Sequence, residues 1–354
     1  MSNHSVIPPS SAHMWVKCHG WLSLNKDIEE RPPSQASIEG TTVHDLVVAL
    51  LLAGDVPRHT PEMREAVDAY ISSYTRTIHF GDIEAPVRAL GIHPLSKGTI
   101  DYWSFNEDTR VLCIRDLKYG YGVVEAFENW QLVNYAAGIL DLFPANTVEE
   151  VQLGIFQPRA YHPKGIDRWW ITTPGELEPY FDKLRLAADA NIEGDGKLQA
   201  GSHCRYCKAL HKCPAASDTA INLYEASLTP WPLKLSGEAL GLQYKIIQRA
   251  KAHIDSFEAA LGEEVQVRIE AGQTVPGYSL VERGREVWTL LDEDIIMFGK
   301  QEGHDLRKKG VITPKQARKG GFEHSLSHTK TTKNLVADDN SEAKLIFNQK
   351  EKTK

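Results

Sequence analysis

The stretch that decides the fold is Lys97–Gly120, KGTIDYWSFNEDTRVLCIRDLKYG. Two runs rich in β-branched and aromatic residues, Thr99–Phe105 and Arg110–Lys118, flank a polar NEDT, the pattern of a β-hairpin. Side chains alternate faces along a strand. Asp116 and Lys118 therefore share a face, about 7 Å apart at ~3.4 Å per residue, and Leu117 points the other way into the core. The short turn brings Asp101, on the first strand, near Asp116. A carboxylate and an ammonium so placed at a strand end can hold a divalent cation beside a positive charge. Phosphodiester hydrolysis uses those parts: oxygen ligands for Mg²⁺ or Mn²⁺, a metal-activated water, and a cation that steadies transition-state charge. Taken alone, a D-x-K triplet reads as an ordinary ion pair at a strand end; its weight comes from its surroundings.

Upstream, a helix is expected to begin near Ser10–Ser11 and run past Cys18, followed by a Pro-rich loop over residues 26–37. Glu39–Ala53 and Pro61–Tyr74 read as helices, and Ile78–Leu90 contains extended pieces. Downstream, Glu125–Leu140 reads as a helix, Val151–Phe156 as a strand and Pro174–Asn191 as a helix. After about Asp218 the composition shifts. Glu238–Leu261 reads as a long helix, Val265–Val281 has strand and turn character, and Leu290–Glu302 reads as helical. The boundaries expected are a first domain over 1–218, an α+β accessory region over 219–304 and a basic, partly disordered tail over 305–354.

The composition is that of a globular chain: 354 residues, 42% hydrophobic and 25% charged. The longest apolar run, Leu46–Gly54, is too short to span a bilayer, and the N-terminal stretch has no charged region followed by an apolar one, so no secretory signal is expected. Five cysteines in such a chain do not read as a disulfide framework, and a cytoplasmic setting is expected. The net charge of −7 hides an asymmetry: residues 305–354 carry twelve basic and six acidic groups, leaving the rest strongly acidic. An acidic body can spend carboxylates on metal ions, whose charge the formal count omits.

The hairpin belongs to an ordered set: His44 in EGTTVHDL, Glu84 in GDIEAPV, Asp101 in GTIDYW, Asp116 and Lys118 in RDLKYG, then Gln131 and Tyr135 in QLVNYAAG, one helical turn apart. This H…E…GxxD…DxK…QxxxY order resembles the RecB-like branch of the PD-(D/E)XK nuclease superfamily over roughly residues 10–216. The resemblance implies an α/β, restriction-endonuclease-like core, a central mixed β-sheet flanked by helices. It implies that His44, Asp101, Asp116 and the Leu117 carbonyl are metal ligands, with Glu84 as an additional acid. Asp101, Asp116 and Lys118 are then catalytic, and Gln131 and Tyr135 position DNA or brace the site. Two positions depart from the family pattern: Asp116 replaces the commoner Glu, and Ile100-Asp101 replaces Pro-Asp.

Cys204, Cys207 and Cys213 form C-x2-C-x5-C, and Cys18 lies far upstream. Four thiolates suit tetrahedral zinc or a cubane iron–sulfur cluster, and His203 and His211 leave a Cys₃His zinc site open. One cysteine before the core and three after it resemble the iron–sulfur staple of AddB-type helicase-nucleases and CRISPR-associated RecB-like exonucleases. That resemblance implies a [4Fe–4S] cluster tying the ends of the domain together. Cys113, on the apolar VLCI run, reads as a core residue.

The strings DLKYGYGVVEAFENWQLVNYAAGIL, IFQPRA, HCRYCKA, PGYSLVERGREVW and TKNLVADDN look like a phage and prophage family of RecB-like proteins of unknown function. That implies a bacterial host and a replication or recombination setting, with a phage recombinase or helicase as a partner. Gln157 and Arg159 could approach the scissile strand. Trp169 and Trp170 could stack on bases or pack as core, and the clusters Arg307–Lys309 and Lys315–Lys319 could contact phosphate. The expectation is a Mg²⁺- or Mn²⁺-dependent deoxyribonuclease, an exonuclease on DNA ends or single strands. The alternative is a module that grips DNA ends or a replication partner with little or no cleavage.

Overall fold

The structure, a computed structural model, describes residues 5–28, 35–52, 54–74, 80–194, 196–228, 235–288, 292–307, 311–323 and 325–337. The chain divides into two units, Met1–Phe257 and Glu258–Lys354. In chain order come α1 (Ala12–Trp15), α2 (Trp21–Asn25), α3 (Gln35–Leu52), α4 (Pro61–Tyr74), β1 (Phe80–Arg88), β2 (Lys97–Asn106), β3 (Val111–Leu117), α5 (Trp130–Leu140), β4 (Glu150–Phe156), β5 (Asp167–Thr172), α6 (Pro174–Glu193) and α7 (Pro214–Ser227). Then α8 (Gly237–Glu270) runs through the division, followed by β6 (Tyr278–Trp288), α9 (Asp292–Gln301), α10 (Pro314–Lys319) and β7 (Ser327–Ala337).

The expected hairpin forms. Asn106 Oδ1 accepts from Asp108 N (3.0 Å) and Thr109 N (3.1 Å), turning the chain, and β2 and β3 pair from Asn106↔Val111 to Tyr102↔Arg115. The sheet order is β1-β2-β3-β4-β5. β2 and β5 run antiparallel to the other three strands, and β3 and β4 are parallel neighbours. Parallel neighbours need a crossover, and α5 supplies it. This is the α/β core that was expected, a mixed five-stranded sheet flanked by helices.

Alternation along β3 sorts its side chains between two hydrophobic cores. Leu112 and Ile114 pack with Leu132, Val133 and Ala136 of α5 and with Leu177 and Phe181 of α6. Leu117 packs on the other face with Val43, Leu46 and Val47 of α3 and with Met63, Val67 and Tyr70 of α4. Arg115, on that face and fully buried, is held by Ser73 and Asp167 (2.6 Å each) and lies over the rings of Tyr70, Phe156 and Trp169.

Local chemistry moves some boundaries. The helix expected from Glu125 starts at Trp130, because Asn129 caps it, accepting from Gln131 N and Leu132 N. Glu128 just before it has φ +53°, which a helix does not allow. α6 starts with a Thr173–Glu176 capping box and stops at Gly194, in the left-handed region at φ +78°. β5 carries the Trp pair, placing Trp170 against Phe127 and Tyr180 and Trp169 over Arg115. α8 continues to Glu270 through residues expected to have strand and turn character, aided by Arg268–Glu264 at 2.8 Å, four residues apart.

In the second unit, β6 and β7 form a two-stranded antiparallel sheet from Tyr278↔Ala337 to Trp288↔Ser327. Ile295, Leu306, Ala317 and Phe322 form a small core. α10 and β7 thus occupy part of the basic tail, and residues 338–354 lie outside the described ones, as do 29–34 of the Pro-rich loop. Among the described residues no helix is long and apolar enough to cross a membrane.

Candidate active site

The sheet edge where β2 ends its pairing with β3 gathers the acids. His44 comes from α3, Glu84 from β1, Asp101 from β2, and Asp116 and Leu117 from β3. Lys118 follows directly, and Gln131 and Tyr135 come from α5. Asp101 stands across from Asp116, one position beyond the Tyr102↔Arg115 pair, and its Oδ2 accepts from Leu117 N at 2.6 Å.

A local inversion puts Glu84 in reach. The β1–β2 ladder pairs Ile83 with Tyr102 and Ala85 with Ile100 but skips Glu84 and Asp101. Glu84 has φ +48°, a strained value for a residue with a β-carbon. Across this break the pleat reverses. Ile83 and Tyr102 belong to the α3–α4 core, whereas Ala85 and Ile100 belong to the α5–α6 core. Sequence periodicity had no means of showing this, because it assumes an unbroken period of two.

His44, Glu84 and Asp101 each offer a ligand atom, and these atoms lie within 4.8 Å of one another. His44 Nδ1 is 3.1 Å from Glu84 Oε1 and 3.6 Å from Asp101 Oδ1. Burial alone would lower the His44 imidazole, but the charges of Asp101, Glu84 and Asp116 outweigh it and raise it to about 9. Burial, and then the charge of Asp116, pushes the Asp101 carboxyl up to about 7 against the pull of His44 and Lys118. The site thus holds more negative charge than its own cations neutralise, and it keeps protons to compensate.

The second half of the site is tightly bonded. Lys118 Nζ sits 2.8 Å from Asp116 Oδ2 and donates to Gln131 Oε1 at 3.0 Å. Gln131 Nε2 donates to Asp116 Oδ1 at 2.8 Å and lies 3.3 Å from the Tyr135 hydroxyl, which itself donates to Thr99 O at 2.6 Å. Burial would lower the Lys118 ammonium, but Asp116 and Asp101 raise it further, so it stays charged. Apart from Lys118, Asp116 Oδ2 is fully buried with no well-directed hydrogen bond.

Gln157 and Arg159 take other places. Gln157 is fully buried. Its Nε2 donates to Gly120 O and Gly122 O, and its Oε1 accepts from Val124 N and Arg168 Nη2. It shapes the loop after Lys118. Arg159 bonds Glu39 Oε2 at 2.6 Å, reaches Glu62 Oε1 at 3.2 Å and the Tyr121 hydroxyl, and lies over the rings of Tyr119 and Tyr121. This clamp joins α3 and α4 to the loop that follows Lys118. Nothing in the spacing of Glu39, Glu62, Tyr119 and Tyr121 foretold it.

The donor set fits a divalent cation. Oxygen ligands with one imidazole suit Mg²⁺ or Mn²⁺, and a cation would replace the protons retained on His44 and Asp101.

The four cysteines gather where the N-terminal segment meets residues 196–213. Burial pushes the Cys204 thiol up to about 11, and the neighbouring Cys207, Cys18 and Cys213 add to the rise. Asn25 Nδ2 donates to Cys207 Sγ at 3.4 Å and Asn25 Oδ1 accepts from Ala209 N. Among the described residues, His44–Glu84–Asp101 is the one group of three with ligand atoms within 4.8 Å, so no three of these sulfurs are that close. His203 Nε2 is engaged with Gln199 O at 2.9 Å. Cys113 is apart from them on β3, its thiol raised to about 12 by burial.

Among solved structures, SSO0001 is 11% identical, with 61% of this chain and 89% of its own covered at a TM-score of 0.33. A candidate exonuclease from Eubacterium rectale is 12% identical, with 65% and 90% covered at a TM-score of 0.35. A family match spans residues 4–352, and by it the chain belongs to the family described as protein of unknown function, DUF2800.

Proposed function

We propose that the protein is a metal-dependent deoxyribonuclease acting from DNA ends. The observation that carries this reading is the convergence of His44, Glu84, Asp101 and Asp116 beside one fixed ammonium, Lys118. In this reading His44, Asp101, Asp116 and the Leu117 carbonyl hold a Mg²⁺ or Mn²⁺ ion, with Glu84 beside them. That ion supplies Lewis acidity and lowers the pKa of bound water. The protein's own residues do the positioning. Asp116 and Gln131 fix the Lys118 ammonium where it meets the charge developing on the phosphoryl oxygens. Tyr135, anchored on Thr99, keeps Gln131 in place. Leu117 N holds Asp101 from the side away from solvent. In the same reading Cys18, Cys204, Cys207 and Cys213, all free thiols, would hold a [4Fe–4S] cluster, with zinc as the alternative.

The test is cleavage of single- and double-stranded DNA labelled separately at each end, with Mg²⁺ or Mn²⁺. Lys118→Ala should lower the rate at least a hundredfold, on the order of the loss when one preorganised charge-stabilising donor is removed. Its far-UV circular dichroism spectrum should stay that of the folded wild type. An iron-replete, folded wild type that cleaves nothing would instead make the chain a DNA-end or partner-binding module.

A further inference from the structure

Two tyrosines stand open beside the candidate active site, each backed by a guanidinium. Tyr121, in the loop after Lys118, is 68% exposed, and the Arg159 guanidinium lies 4.1 Å from its ring centre. The three residues from Lys118 to Tyr121 span at most about 11 Å at ~3.6 Å each, so the ring stays close to the site. Tyr206, between Cys204 and Cys207, is 64% exposed, and the Arg205 guanidinium lies 5.4 Å from its ring centre. The two segments are far apart in sequence, yet they meet: a β-carbon on Gly122 would lie 3.4 Å from the Tyr206 hydroxyl. Both belong to the first unit.

The charge around the rings selects what they take. Residues 196–217 carry Lys197, Arg205, Lys208 and Lys212, all exposed, and no acidic residue. Open rings among cations match flat bases on an anionic backbone. Every base has a π-face, so stacking holds a strand without reading its sequence, and a guanidinium behind the ring adds to it. Inside a duplex both faces of a base are already covered by its neighbours, so the rings favour an unpaired strand. We propose that Tyr121 and Tyr206 form a stacking platform for the bases of an unpaired DNA strand, with Arg205 and Lys208 on its phosphates. The choice of DNA rests on the nuclease reading above, and the platform makes single strands the preferred substrate of that site.

Fluorescence anisotropy on the full chain tests it, with Ca²⁺ present and three labelled probes: oligothymidylate, an abasic strand of equal length and a blunt duplex. Wild type should bind oligothymidylate most tightly. Tyr121→Leu and Tyr206→Leu should each weaken that binding about tenfold, the loss of one stacked base, and leave the abasic strand unaffected. Tyr206→Phe should bind as wild type does, because the ring does the stacking. Arg205→Gln and Lys208→Gln should weaken both single strands alike, and each should lower the salt slope by about 0.7. A wild type that binds the two single strands equally, a Tyr206→Leu variant that loses both equally, or a Tyr206→Phe variant as weak as Tyr206→Leu would each overturn the platform. Cleavage of end-labelled DNA in Mg²⁺ separates the two readings. Cleavage with equal binding of both single strands overturns the platform alone. Base-dependent binding through the tyrosines with no cleavage overturns the nuclease reading alone and supports the platform.

Discussion

His44 and Asp101 carry the clearest electrostatic signature of the candidate site. Both titrate above their ordinary range, His44 near 9 and Asp101 near 7, because carboxylates crowd a buried space. The sign follows directly. The metal-free fold binds more protons than the unfolded chain, so it loses stability as pH rises through about 7 and then about 9. A cation must displace those protons, since imidazole binds metal only when neutral. At pH 8 Asp101 has already lost its proton and His44 has not. Mn²⁺ binding should therefore release about one proton, read by calorimetry in buffers of different ionisation enthalpy. His44→Gln should move that release onto Asp101, whose carboxyl, freed from the pull of His44, keeps its proton to higher pH. At pH 6 the wild-type release should rise toward two. A proton count that stays at zero at pH 8 would mean that His44 is not a ligand.

At the scale of elements, Arg159 ties together the pieces that the site depends on. Its partner Glu39 sits on α3, five residues before His44, and Tyr119 directly follows Lys118. Arg159→Ala removes two ion pairs and two stacked rings and should cost about 2–3 kcal/mol. It should also weaken Mn²⁺ binding, through looser placement of His44. Arg159→Lys should not rescue either property, because the planar guanidinium both stacks and pairs in two directions. Thermal melts and Mn²⁺ titrations check this. A variant with normal melting and metal affinity that binds DNA poorly would instead place Arg159 on the substrate, as the sequence suggested. The same scale shows what could be read in advance. The β2–β3 hairpin and its facing acids were legible because alternation and turn residues are local signals. The Gln131–Tyr135 face was legible from helical spacing, although the start of α5 was not, since Asn129 outcompetes a longer helix by capping. The inverted pleat at Glu84, the Gln157 brace and the Arg159 clamp depend on contacts between segments far apart in sequence, which no local pattern encodes.

For the first unit as a whole, the question is what closes it. Cys18 precedes the sheet, and the other three cysteines of the group follow it. The two segments already meet without any inorganic group. Asn191 Oδ1 accepts from Leu22 N, its Nδ2 donates to Trp15 O, and Gly20 N donates to Lys197 O. The approach is so close that a β-carbon on Gly196 would lie 2.1 Å from His19 O. The backbone therefore sets the meeting, and a cluster held by the four thiols would add a tie across nearly the whole unit. Closing so long a loop is worth at most about 5 kcal/mol in the chain-entropy picture. Cys18→Ala in protein purified without air should lose bound iron and melt several degrees lower than wild type. After iron is stripped by chelation under reducing conditions, the two proteins should melt within about a degree of each other, because Asn191 and the glycine contact remain. If the as-purified variant keeps both its iron and its melting temperature, Cys18 takes no part in the tie. If the stripped variant still melts far below stripped wild type, Cys18 acts through packing alone.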